Sequence, residues 1–144
     1  METGINAFIR RQFDVKDTDI RTYSPLALAY IGDGIFDLVI RSVVVGRGNT
    51  RANELHCRTS RIVKAQTQAK LIESVLPQLT DEEADVYRRG RNAHSATIAK
   101  NASMSDYRKA TGLEALLGYL YLTDQFERIL ALVKEGLVLI NERI

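Results

Sequence analysis

Pro25–Gly46 reads PLALAYIGDGIFDLVIRSVVVG. Ser24 is a good N-cap and Pro25 a good first helical residue, with Gly46 or Gly48 as the stop. A run this apolar is expected to be a buried helix. Asp33 stands in the middle of it, between Gly32 and Gly34. An ionised carboxylate is costly to bury unless it is paired or bound to a metal. Thr111–Leu122 (TGLEALLGYLYL) repeats the oddity, with Glu114 as its one charge. Two lone carboxylates in two apolar helices suggest one shared polar site, and a hard divalent cation suits it.

Working outward, three more helices are expected. Arg51–Leu76 carries Leu55, Ile62, Ala65, Ala69, Ile72 and Leu76 at helical period until Pro77. Thr80-Asp81-Glu82-Glu83 is a capping box that opens a short helix to about Arg89. Arg91–Ser103 has no clear period and reads as a loop. Ser103 or Ser105 caps the helix that holds Glu114, and Asp124 starts a last one with Phe126, Ile129, Leu130, Val133 and Leu137 on one face. Alternating apolar and polar runs are absent, so the expected class is all-α, with five helices.

The chain has 144 residues, 45% hydrophobic and 26% charged, which suits one domain spanning 1–144 with a real core. The first twenty residues read as a mobile N-terminal extension. Asp33, Asp37 and Arg41 interrupt the best membrane-spanning candidate, and METGINAFIRRQFDVKD has charges where a signal peptide needs its apolar run. A cytoplasmic protein with no membrane association is the expectation. Cys57 is the only cysteine, so no disulfide framework or thiolate metal site is expected.

The spacing within the two apolar helices favours ion binding. Glycine in a helix interior costs roughly 1 kcal/mol relative to alanine. Gly32, Gly34 and Gly118 make sense if the helices cross closely and bring both acids to one ion. Mg²⁺ takes few protein carboxylates and keeps several waters. Held there, it would activate water and offset charge at a phosphodiester. The same residues have a plainer reading. Asp37 and Arg41, four apart, form an ordinary ion pair, Asp33 is satisfied by backbone donors, and Glu114 pairs with an arginine.

At these residues the chain resembles a known family. ALAYIGDGIFDLVIR (Ala27–Arg41) and TGLEALLGYLYL resemble the first and last motifs of the ribonuclease III catalytic domain. HCRTSRIVKAQTQAKLI, RRGRNAHSAT and KNASMSDYRKATG fit its Mini-ribonuclease III form, which lacks a double-stranded-RNA-binding domain. The resemblance runs in order from about Ser24 to Arg128. It implies an all-α, homodimeric endonuclease that cleaves double-stranded RNA with Mg²⁺, Mn²⁺ being able to substitute. The products carry 5′-phosphates, and the role is maturation of large-subunit (23S) ribosomal RNA, with a ribosomal protein as a candidate partner. It makes Asp33 catalytic and, with Glu114, a metal ligand. Full-length relatives carry further acids at the places of Leu26, Ala29 and Thr111. This leaves Thr111, with Asp37, as residues that would reach the ion only through water.

Arg88–Lys109 holds six basic residues and one acid in a chain of net charge +2. This suggests a polyanion-binding face. Duplex RNA is read by shape through phosphates and 2′-hydroxyls, so Arg88, Arg89, Arg91, Asn92, His94 and Lys100 are the expected contacts. Arg61 and Lys64, with Arg58, form a second stripe for which a solvated face is as good a reading. One histidine without a second ligand or a nucleophile makes neither a zinc site nor an acyl-transfer site. The leading function is a Mg²⁺-dependent double-strand RNA endonuclease. The alternative is a catalytically silent RNA-binding or ribosome-assembly factor on the same fold.

Overall fold

The structure, a computed structural model, describes residues 4–93 and 103–144. Among them stand α1 (Ile5–Gln12), α2 (Pro25–Arg47), α3 (Ala52–Val63), α4 (Ala65–Val75), α5 (Asp81–Asn92), α6 (Met104–Leu122) and α7 (Phe126–Leu139), with short 3₁₀ turns at Ile20–Thr22 and Leu76–Gln78 and no strand. No described helix is long and apolar enough to cross a membrane.

The helix starts follow local chemistry. Ser24 Oγ accepts the Ala27 N–H at 3.1 Å, with Pro25 at the first helical position. Thr80 and Glu83 close the expected capping box at α5. Ser103, not Ser105, caps α6 through the Asp106 N–H at 3.0 Å. Asp124 does not start the last helix. It takes a left-handed turn conformation, φ 58°, and α7 begins two residues later.

The expected single helix over Arg51–Leu76 is two. Lys64 is extended, φ −67° and ψ 154°, and separates α3 from α4. Two side chains of α4 satisfy carbonyls at the end of α3: Thr67 Oγ1 donates to Arg61 O at 2.7 Å and Gln68 Nε2 donates to Val63 O at 2.8 Å. Helix ends need such partners for their orphan carbonyls. Within the first twenty residues, Ile5–Gln12 form a helix that the sequence pattern does not place, with Ala7 buried.

α6 is the centre. Ten of its residues are buried, on all sides of the helix. α2 packs most extensively against it, and α5 and α4 cover other faces. The core gathers Phe36, Ile40, Ile62, Leu71, Ile72, Leu113, Leu116, Leu117, Leu120, Ile129 and Leu132. Ile35 and Phe36 belong to this core. The large apolar residues that α2 leaves exposed are Leu26, Tyr30, Leu38 and Val45, with Tyr30 at 85% exposure. Val39 and Val43 instead border a groove between α2 and α7.

Candidate active site

α2 and α6 cross with their backbones in contact. A Cβ on Gly32 would lie 1.7 Å from the Glu114 carbonyl oxygen, and one on Gly118 would lie 2.0 Å from the Leu28 carbonyl oxygen. No side chain fits at either position, so both glycines are required by the close approach. Gly34, by contrast, faces open space. The crossing fixes where the two acids sit. Gly32 points at α6, and its neighbour Asp33 is therefore turned outward and exposed. The expectation of a buried Asp33 is corrected by this geometry. Glu114, one turn before Gly118, is the more withdrawn carboxylate.

Asp33 and Glu114 meet in a cavity of about 290 Å³. Val63, Lys64, Ala65, Gln66, Gln68, Tyr107, Ala110 and Thr111 complete its walls. The Glu114 carboxyl is pushed up to about 8, first by burial and then by its hydrogen bond to Asp33 and the charge on Asp33, while a hydrogen bond from Gln68 opposes the rise. Two carboxylates this close repel unless a proton or a cation lies between them. Gln68 is 3% exposed, and its Oε1 is buried without a hydrogen-bond partner among the described residues. Thr111 is buried on the wall, its hydroxyl donating to Tyr107 O at 3.0 Å. No group of three or more His, Cys, Asp or Glu side chains gathers among the described residues. The donor set is thus two carboxylates with neutral oxygens and no thiolate or imidazole. This suits a hard cation that keeps much of its own water, such as Mg²⁺ or Mn²⁺.

The other sequence-derived candidates divide. Asp37 pairs with Arg41 at 2.7 Å and is not part of the cavity wall. Arg61 is engaged at the C-terminus, donating to Arg143 O at 2.6 Å and pairing with Glu142 at 3.4 Å. Lys64 is exposed at the rim of the carboxylate cavity, because the α3–α4 break puts it there. Arg58 pairs with Glu54 along α3. Arg89, Arg91 and Asn92 lie in the last turn of α5, with Arg88 just before it. Arg88 pairs with Asp85, Arg91 stacks over the Tyr87 ring at 5.7 Å, and Arg89 is exposed. That turn abuts α6 beside the cavity, since a Cβ on Gly90 would lie 3.3 Å from the Thr111 carbonyl oxygen. His94 and Lys100 lie outside the described residues. Gln68 is a site residue that the sequence pattern did not single out. Its signal is a glutamine on the buried face of α4, among Ala69, Leu71 and Ile72.

Comparison with known proteins agrees with this architecture. Residues 26–125 match the Ribonuclease III domain family. A Mini-ribonuclease 3 of Thermoanaerobacter sp. is 39% identical over 142 residues, covering 99% of this chain and 100% of that protein. A Mini-ribonuclease 3 of Enterococcus faecalis is 47% identical over 117 residues, covering 80% of this chain and 89% of that protein. A crystal structure of a Fusobacterium nucleatum protein superposes with a TM-score of 0.76 at 28% identity, covering 83% of this chain and 92% of that one. With the all-α fold and the paired carboxylates at the crossing of α2 and α6, these relatives assign the chain to the ribonuclease III family of endoribonucleases, alongside the Mini-ribonuclease 3 proteins.

Proposed function

We propose that the chain is a Mg²⁺-dependent endonuclease of double-stranded RNA, leaving 5′-phosphate ends, with Asp33 and Glu114 as its catalytic carboxylates and ion ligands. The observation that carries this reading is their meeting in one cavity at the glycine crossing of two helices. When bound, a divalent cation offsets charge on the phosphodiester and activates water for attack. The chain's own residues do the rest. Glu114, withdrawn from solvent, would hold the ion on the α6 side. Asp33, at the open side, faces the incoming phosphate. Thr111 is a wall residue that would meet only the ion's waters, and Lys64 at the rim suits the RNA phosphate.

The duplex is proposed to lie across this rim and the end of α5. Arg88, Arg89, Arg91 and Asn92 there, with His94 and Lys100 following, hold the backbone rather than the bases. A-form RNA hides its base edges in a groove too deep for side chains. Cutting both strands needs two sites, and we propose a homodimer. The exposed apolar residues Leu26, Tyr30 and Leu38 on α2 support that reading, because an exposed apolar stripe is a common association surface. A cytoplasmic enzyme acting on precursor 23S ribosomal RNA, with a ribosomal protein presenting the substrate, is the role that the family likeness suggests.

The test is incubation of the purified protein with long duplex RNA and with single-stranded RNA, each with Mg²⁺ and with chelator. Cleavage of the duplex alone, only with the ion, and with 5′-phosphate ends is expected. Stable duplex binding without cleavage at any Mg²⁺ concentration would leave a silent RNA-binding factor as the correct reading.

A further inference from the structure

We infer that Gln68 is a working member of the ion site, its amide oxygen accepting a hydrogen bond from water in the bound cation's shell. The inference deepens the proposed function and rests on it. Gln68 is 3% exposed and lines the same cavity as Asp33 and Glu114. Its amide cannot turn over freely. Nε2 donates to the Val63 carbonyl at 2.8 Å, an acceptor that only the NH₂ side can serve. Oε1 is therefore aimed away from that carbonyl, and it is buried with no donor in the described protein. A buried acceptor without a donor is rare, and each case needs a physical explanation.

Among the described residues no donor reaches Oε1. The carboxylates are acceptors once ionised, and the Thr111 hydroxyl is engaged with Tyr107 O. A hydrated divalent cation supplies donors: its waters are polarised and present their hydrogens outward. Mg²⁺ keeps several such waters when only one or two carboxylates hold it. Gln68 Oε1 is placed to order one of them. Residues that orient an ion's ligands from outside the coordination shell typically contribute 10–100-fold to affinity. The break at Lys64 makes this possible, because it starts α4 at Ala65 and sets Gln68 in the first turn beside Glu114.

Two measurements without RNA test the inference. In calorimetric Mg²⁺ titrations, Gln68→Leu should bind the ion about 10–100-fold more weakly than wild type, with no change in net charge. In the wild-type protein, the Gln68 side-chain amide signal in ¹H–¹⁵N spectra, assigned by its proximity to Val63, should shift with Mg²⁺ at the calorimetric midpoint. An Mg²⁺ affinity within twofold of wild type in Gln68→Leu, together with an amide signal that ignores the ion, would make Gln68 only a cap for α3. If Gln68→Leu does not fold, the wild-type amide signal decides alone. Glu114→Gln separates the two levels. If it weakens Mg²⁺ binding and Gln68→Leu does not, the ion site stands and this inference falls. If both weaken Mg²⁺ binding but wild type cuts no duplex RNA, the inference stands and the endonuclease reading falls.

Discussion

Glu114 keeps its proton well above the ordinary carboxyl range because burial and the Asp33 carboxylate both oppose its charge. A cation in the cavity reverses that balance, since it favours both ionised acids at once. Glu114→Gln should therefore move the Mg²⁺ titration of duplex cleavage to higher concentration, with part of the rate restored at high Mg²⁺. An unchanged titration would make Glu114 a structural acid. Asp33→Asn is nearly isosteric at an exposed position and should leave folding and duplex binding intact. It should lower single-turnover cleavage by about a hundredfold or more, because ion-derived charge stabilisation is worth several kcal/mol and each 1.36 kcal/mol is tenfold. Near-wild-type turnover would exclude Asp33 from the chemistry. At this scale the sequence shows the acids by their isolation in apolar runs. It hides their burial, because one residue of helical rotation decides whether Gly32 or Asp33 faces α6.

At the scale of elements, the crossing of α2 and α6 is set by backbone rather than by side chains. Gly32→Ala puts a methyl on a carbonyl oxygen that belongs to a buried helix, and no rotamer relieves it. Its unfolding midpoint in urea should correspond to a loss of about 3 kcal/mol or more, the upper part of the overpacking range. Gly46→Ala, where nothing lies within 4 Å and φ is not positive, should gain about 0.4–1 kcal/mol. Equal effects at the two positions would refute the close-approach account. A second tie joins α5 to α7. Arg128 Nε and Nη2 donate to the two oxygens of buried Glu83 at 2.9 Å each, and Nη2 also donates to Gln78 O. The Arg128 hydrogen bonds, against the opposing effect of burial, hold the Glu83 carboxyl below its usual range. A depressed folded value means that this contribution is complete above the unfolded value, about 4.3, and is lost as pH falls through the folded one. Glu83→Gln should cost about 1–3 kcal/mol at neutral pH and flatten the acid limb of the stability curve. An identical acid limb would remove Glu83 from it. Caps such as Ser24 and Thr80 are local and legible in the sequence. The break at Lys64 is not, because the apolar period runs on through Ile62, Ala65 and Ala69 while Thr67 and Gln68 supply the bonds that end α3.

At the scale of the molecule, the questions are how copies meet and where RNA lies. Tyr30→Arg should reduce association without unfolding the chain, since Tyr30 is almost fully exposed. Sedimentation at micromolar concentration should show a dimer for wild type and a monomer for the variant, and no difference would move the interface elsewhere. Reversing the charge of Arg88, Arg89 and Arg91 should weaken duplex binding equally on all sequences. The salt slope should fall by roughly 0.7–0.9 for each RNA phosphate that the variant no longer neutralises. Unchanged affinity and slope would turn attention to Lys64. The joint between α3 and α4 has one more consequence. Gln68 both closes the end of α3 and borders the ion cavity, so an event in the cavity is felt by the peptide bonds of the joint. Amide hydrogen exchange should register it. The Lys64 and Gln68 N–H groups, bonded to Ser60 O and Lys64 O, should exchange more slowly with Mg²⁺ than with chelator, while amides of α7 remote from the cavity keep their rates.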